Sequence, residues 1–156
     1  MSKKDSILID GKRYSLSDLP EKMVVEGDLD LSGYGLEELQ DLSKWVIRGR
    51  FSCSNNKLTS LKGAPQIVGS SFNCSNNKLT SLKGAPSKIA GYFNCSNNKL
   101  TSLEGGPKKL TGAYDCSWNN FSFLYHKEEE DKAQGLHPRS IVTSHYLSTS
   151  GWFLVS

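Results

Sequence analysis

Apolar residues recur along this chain in one short pattern. Over residues 51–61, FSCSNNKLTSL, the apolar positions are Phe51, Cys53, Leu58 and Leu61. They return as Phe72, Cys74, Leu79 and Leu82, then as Phe93, Cys95, Leu100 and Leu103. Alternation across Phe-x-Cys is the period of a strand, and the polar run Ser-Asn-Asn-Lys that follows predicts a bend. A degraded copy, YDCSWNNFSFL, opens at Tyr114, so that Cys53, Cys74, Cys95 and Cys116 fall one per copy at a spacing of 21. A fixed period of this length predicts a solenoid, in which each unit buries its apolar face only against its neighbours.

The same pattern extends upstream. Residues 23–35, MVVEGDLDLSGYG, alternate apolar and polar, and Leu29, Leu31, Leu36 and Leu39 match Phe51, Cys53, Leu58 and Leu61 at a spacing of 22. A divergent first coil at about 27–48, three close copies and a fifth coil at about 111–124 follow from this alignment. Residues 6–16 hold two short β-prone runs around Asp10-Gly11, a hairpin signal. Residues 125–134 carry helix formers with Gly135 as a C-cap, and His137-Pro138 redirects the chain. Residues 140–156 read as two strands around Thr149-Ser150-Gly151, bearing the apolar run Trp152-Phe153-Leu154. Such a hairpin either covers the open end of the last coil or serves as a partner-binding tail. The chain thus reads as one domain: an N-terminal cap over 1–23, repeats over 24–124 and a C-terminal helix/hairpin cap over 125–156.

Within a coil, Phe72, Cys74, Leu79, Leu82 and Ile89 are expected inward. Asn56, Asn77, Asn98 and Asn119 are expected to turn inward and bond backbone groups of adjacent coils. Gly63-Ala64-Pro65 and Gly84-Ala85-Pro86 are turn chemistry, too short to hold a helix. In-register cysteines on neighbouring strands lie about 4.8 Å apart with parallel side chains, which suits a buried ladder of reduced thiols rather than disulfides. No CxxC or close Cys/His spacing points to a metal.

The copies FxCSNNKLTSL resemble the LxLxxNxLxxL core of leucine-rich repeats. They are most similar to the short repeats of bacterial effectors and of small proteins encoded by tailed phages and some bacteria, over about residues 24–124. The resemblance implies an all-β or nearly all-β, right-handed solenoid of about five coils. It would carry a parallel sheet on the concave face, an Asn ladder at the turn and an extended convex segment. It also implies a phage-encoded protein that engages or inhibits a bacterial host protein.

Charge changes the picture in the middle of the chain. Residues 44–110 hold eleven basic residues against Glu104 alone, whereas residues 1–43 hold five basic and ten acidic ones. Lys57, Lys78 and Lys99 form a column at the strand exit, and Lys62 and Lys83 add another. A row of cations could follow a phosphate backbone or steer an acidic partner. Duplication of a lysine that keeps exposed turns soluble accounts for the row without selection for binding, and is the favoured reading of the lysines.

Enzyme chemistry finds little support. There is no phosphate-cradling GxxxxGK[ST] and no nucleophile elbow. His126, His137 and His145 lie without a paired nucleophile or acid, and Glu128–Asp131 reads as a solvated face. No cofactor is expected. No run of about 18 apolar residues suggests a membrane span, and the basic start lacks an apolar stretch of signal length, so a cytoplasmic protein is expected. The better candidate is the outward face of the strands. Its columns are Arg50, Ser71, Tyr92, Ala113; then Asp30, Ser52, Asn73, Asn94, Asp115; then Ser32, Ser54, Ser75, Ser96, Ser117. Tyr92 is an aromatic anchor among small polar groups, the composition of an adaptable protein-binding face. Trp118 replaces an Asn of the repeat and fits either capping or binding. A non-catalytic protein-binding module is therefore expected, with nucleic-acid binding through the lysines, or a structural role in an assembly, as alternatives.

Overall fold

The computed structural model describes residues 5–121 and the backbone of residues 152–154. Asp10 and Gly11 both take positive φ, 45° and 80°. This pair of left-handed residues matches the twist of a two-residue hairpin. Ser6–Ile9 (β1) and Lys12–Ser15 (β2) pair antiparallel around it.

Beyond the hairpin the chain alternates between two parallel sheets. Strands β3 (Val24–Val25), β5 (Val46–Ile47), β7 (Ile67–Val68), β9 (Lys88–Ile89) and β11 (Lys109–Leu110) form one of them. Strands β4 (Leu29–Asp30), β6 (Phe51–Ser52), β8 (Phe72–Asn73), β10 (Phe93–Asn94) and β12 (Ala113–Asp115) form the other. The molecule is a β-solenoid of about four turns, and no helix occurs among the described residues. The return arm, expected as an extended segment, is thus itself a sheet. With two residues per strand it leaves no alternation to read in the sequence.

Register between coils explains why the period is strict. Phe51, Phe72, Phe93 and Tyr114 are in line across β6, β8, β10 and β12. Successive ring centroids lie 5.1, 5.6 and 4.9 Å apart. Each such aromatic pair contributes about 0.5–1.5 kcal/mol beyond its area burial. Cys53, Cys74 and Cys95 are fully buried beside them, as are Leu58, Leu79 and Leu100 on the next arm and Ile47 and Ile89 on the second sheet. One core therefore runs the length of the stack.

The turn into the second sheet depends on glycine. Gly63, Gly84 and Gly105 have φ of 85°, 95° and 82°. The following amides of Ala64, Ala85 and Gly106 donate back to the carbonyls of Leu61, Leu82 and Leu103. At Gly84 a Cβ would also lie 2.6 Å from the Leu61 carbonyl of the previous coil, so close stacking excludes a side chain as firmly as the dihedral does.

Both ends are covered. The Asp10 carboxylate accepts from the amides of Glu26 (2.8 Å) and Gly27 (3.0 Å), and the Tyr34 hydroxyl donates to the Ser6 carbonyl at 3.3 Å. Ile7 and Ile9 join the core. At the other end, Trp152–Leu154 (β13) pairs antiparallel with β12, in the register Ala113 with Leu154 and Asp115 with Trp152. An otherwise open sheet edge is thereby paired. The expected helix over 125–134 and the first strand and turn of the C-terminal hairpin lie outside the described residues.

Candidate functional site

Each Asn of the ladder serves two coils at once. The Asn77 amide nitrogen donates to the carbonyls of Cys53 (3.0 Å), Cys74 (3.1 Å) and Ser75 (3.2 Å), while its oxygen accepts from the Leu58 amide at 3.0 Å. Asn56, Asn98 and Asn119 repeat this set. These side chains satisfy backbone groups where the chain leaves the strand, and so hold the outer face rigid. The thiols beside them are reduced and buried. Burial pushes Cys53 up to about 12 and Cys74 and Cys95 well above the ordinary range. They stay protonated and act as small hydrophobes. Among the described residues no group of three or more His, Cys, Asp or Glu is placed to hold a metal, and no helix is long and apolar enough to cross a membrane.

The outer face of the β4–β12 sheet carries the columns read from the sequence, but neighbouring groups use much of their bonding capacity. The Arg50 amide donates to Asp28 at 2.7 Å and its guanidinium pairs with the same carboxylate at 3.2 Å. The Ser71 hydroxyl accepts from the Tyr92 amide of the next coil at 3.1 Å. Asn73, Asn94 and Asp115 each accept from the amide two residues on, at 3.0, 2.9 and 3.0 Å. That Asx-type bond ends the strand. The third column departs from expectation: Ser54, Ser75, Ser96 and Ser117 are buried, only 5–6% exposed. Small side chains on close-stacked coils are covered by the groups on either side. The hydroxyls of Ser96 and Ser117 donate back to Asn94 and Asp115, each at 2.7 Å.

Tyr92 stands out on this face. It is half-buried, and its hydroxyl donates to the Asp115 carboxylate at 3.4 Å. Burial first, then the charge of Asp115 and the bond to it, raise the phenol above its ordinary range, so it remains a donor at neutral pH. Asp115 is itself buried, with one oxygen held by Ser117 and the other by Tyr92. Tyr92, Asn94 and Asp115 thus form one patch beside the chain's own terminal strand. Arg50, Ser71 and Asn73 lie one or two coils further back on the same face.

Trp118 lies past the end of β12, three residues beyond Asp115. It follows the strand at the position held by Gly33, Asn55, Asn76 and Asn97 in the earlier coils, and all five have φ between 53° and 72°. Gly and Asn tolerate this left-handed conformation, whereas an indole-bearing residue is held there at a cost of about 1–2 kcal/mol. Trp118 is 53% exposed. Its alignment with the Asn column was legible in the sequence, but its dihedral was not.

The charges sort by coil. Carboxylates of the N-terminal region meet the bases of the next coil: Glu21 with Lys44, Glu26 with Arg48 (3.1 Å), Asp28 with Arg50 (3.2 Å) and Glu37 with Lys57 (3.8 Å). Lys83 pairs with Glu104 at 3.6 Å. All are exposed pairs worth little to stability. Among the described residues Lys78, Lys88, Lys99, Lys108 and Lys109 have no carboxylate partner, and Lys62 acts on Asp41 only through its charge. Lys88 and Lys109 even stand in register on adjacent strands.

Fold and surfaces together define a β-solenoid repeat protein with stacked parallel sheets, an N-terminal hairpin and a terminal strand paired to β12. Comparison with protein-family models, with curated proteins and with solved structures gives no match.

Proposed function

We propose that this solenoid is a non-catalytic binding module that presents the outer face of its β4–β12 sheet to a protein partner. The observation that carries the reading is the Tyr92–Asp115 pair, an aromatic anchor bonded to a buried carboxylate on a face whose other side chains, Arg50 apart, are small. Asn94, Asn73, Ser71 and Arg50 extend the surface, already fixed by their own bonds. A rigid surface of this kind loses little conformational freedom on binding. The resemblance to short leucine-rich repeats adds the setting: a phage-encoded protein acting in the bacterial cytoplasm on a host protein.

The test is affinity capture from nuclease-treated bacterial lysate, with the folded state of each variant checked by circular dichroism. The wild type is expected to retain one stoichiometric protein that the folded Tyr92→Ala and Asn94→Ala variants lose. Equal recovery by wild type and variants, or recovery by neither, would refute the sheet-face reading.

A further inference from the structure

The strand-exit rim of the solenoid is a second surface, separate from the sheet face. Two columns run along it. One is the left-handed column, whose Asn55, Asn76 and Asn97 side chains are exposed and which ends in the exposed Trp118. The other, two residues further along each coil, is Lys57, Lys78 and Lys99, all exposed and followed at the last coil by the neutral Asn120. Lys57 is paired with Glu37, whereas Lys78 and Lys99 have no carboxylate partner among the described residues. Adjacent coils are about 4.8 Å apart, a spacing that the flexible lysine stems can adjust. Going towards the C-terminal end, the rim therefore offers two unneutralised cations, amide groups between them and one large aromatic.

We infer that this rim binds single-stranded nucleic acid, with a base stacked on Trp118 and the adjoining phosphates on Lys99 and Lys78. Stacking on an aromatic combined with a basic track is how single strands are held without sequence preference. An acidic polypeptide would satisfy the lysines but leaves the exposed indole without a reason. Restoring the repeat's own Asn at position 118 would have kept the lysines and removed the backbone strain. The departure from the repeat is what selects a strand with bases.

The probe is a fluorescein-labelled oligothymidylate of about twelve nucleotides, followed by anisotropy with the full chain. Binding is expected at about 50 mM salt and should weaken roughly tenfold by about 200 mM, as two or three phosphate contacts require. Trp118→Asn is the informative variant, because Asn is the residue that folds at this position in three other coils. It should weaken binding roughly tenfold at low salt. Lys78→Gln with Lys99→Gln should flatten the salt dependence, and Tyr92→Ala should leave oligonucleotide binding unchanged. The inference is overturned if no binding occurs at low salt or if Trp118→Asn binds like the wild type. It is overturned equally if polyglutamate displaces the probe as well as unlabelled oligothymidylate does. Because lysate capture depends on Tyr92 and this assay on Trp118, the two readings fail independently.

Discussion

Tyr114 continues the phenylalanine column of the core, and its hydroxyl is buried with no hydrogen-bond partner among the described residues. The Cys95 thiol lies near enough to perturb its ionisation but not to bond it with good geometry. The hydroxyl points at Gly106, where the two preceding coils have Ala64 and Ala85; a Cβ there would stand 3.1 Å from it. Two departures from the repeat thus fit each other, a hydroxyl added on one coil and a methyl removed on the previous one. A buried unsatisfied hydroxyl costs about 1–3 kcal/mol. Tyr114→Phe restores the residue that stacks in three other coils, so it should raise stability by about 1–2 kcal/mol. The midpoint of urea unfolding should rise with unchanged slope, and Tm should increase by roughly 3–6 °C. Gly106→Ala should lower stability in the wild type, since the hydroxyl must give way. In the Tyr114→Phe background that obstacle is gone, while the Leu103 carbonyl and Leu82 still stand 3.1 Å from a Cβ. The loss should be smaller there, offset in part by the about 0.4–1 kcal/mol that reduced unfolded-state freedom contributes. The cycle should therefore show a coupling of at least about 0.5 kcal/mol. A Tyr114→Phe variant less stable than the wild type would mean that the hydroxyl is bonded. A strictly additive cycle would mean that Gly106 does not make room for it.

Other consequences can be measured on the same protein. Asn98→Ala strands the Leu79 amide and removes one of two side-chain donors from the carbonyls of Cys74 and Cys95, which Asn77 and Asn119 still reach, and should cost about 1–3 kcal/mol in urea titration. Asn98→Asp should rescue little of this, because a carboxylate accepts from Leu79 but faces three carbonyl oxygens. The native thiols keep their protons to higher pH than the same thiols in the unfolded chain, with Cys53 raised from 9.0 to about 12. Above pH 9 the unfolded state then binds fewer protons, so stability falls as pH rises through that window, by about 1.4 kcal/mol per unit for each thiol. Below about pH 8 the thiols contribute no slope. A stability profile from pH 7 to 11 checks the sign, and Cys95→Ala should make the alkaline slope shallower by about one thiol's share. A thiol-specific reagent at pH 8 should leave Cys53, Cys74 and Cys95 unmodified in the folded protein and modify them once urea unfolds it.

The 21-residue period by itself determined the solenoid, its inward columns and the register, because identical coils can bury Phe51, Phe72 and Phe93 together only when stacked in line. It also marked the Asn ladder, since one inward amide per coil has only backbone of its own and the adjacent coil to bond. Asp10-Gly11 specified the N-terminal hairpin through its two left-handed residues. Other features depend on what lies a coil away. The return arm became a sheet because its two-residue strands find partners only through stacking. The serine column was buried because neighbouring coils close over small side chains. Tyr92 reaches Asp115 across 23 residues of chain, and the Tyr114 hydroxyl fits Gly106 across the gap between coils. Periodicity in a sequence tells which positions are equivalent. Only the tertiary structure decides which groups at those positions are consumed by bonds to the next coil and which are left to meet a partner.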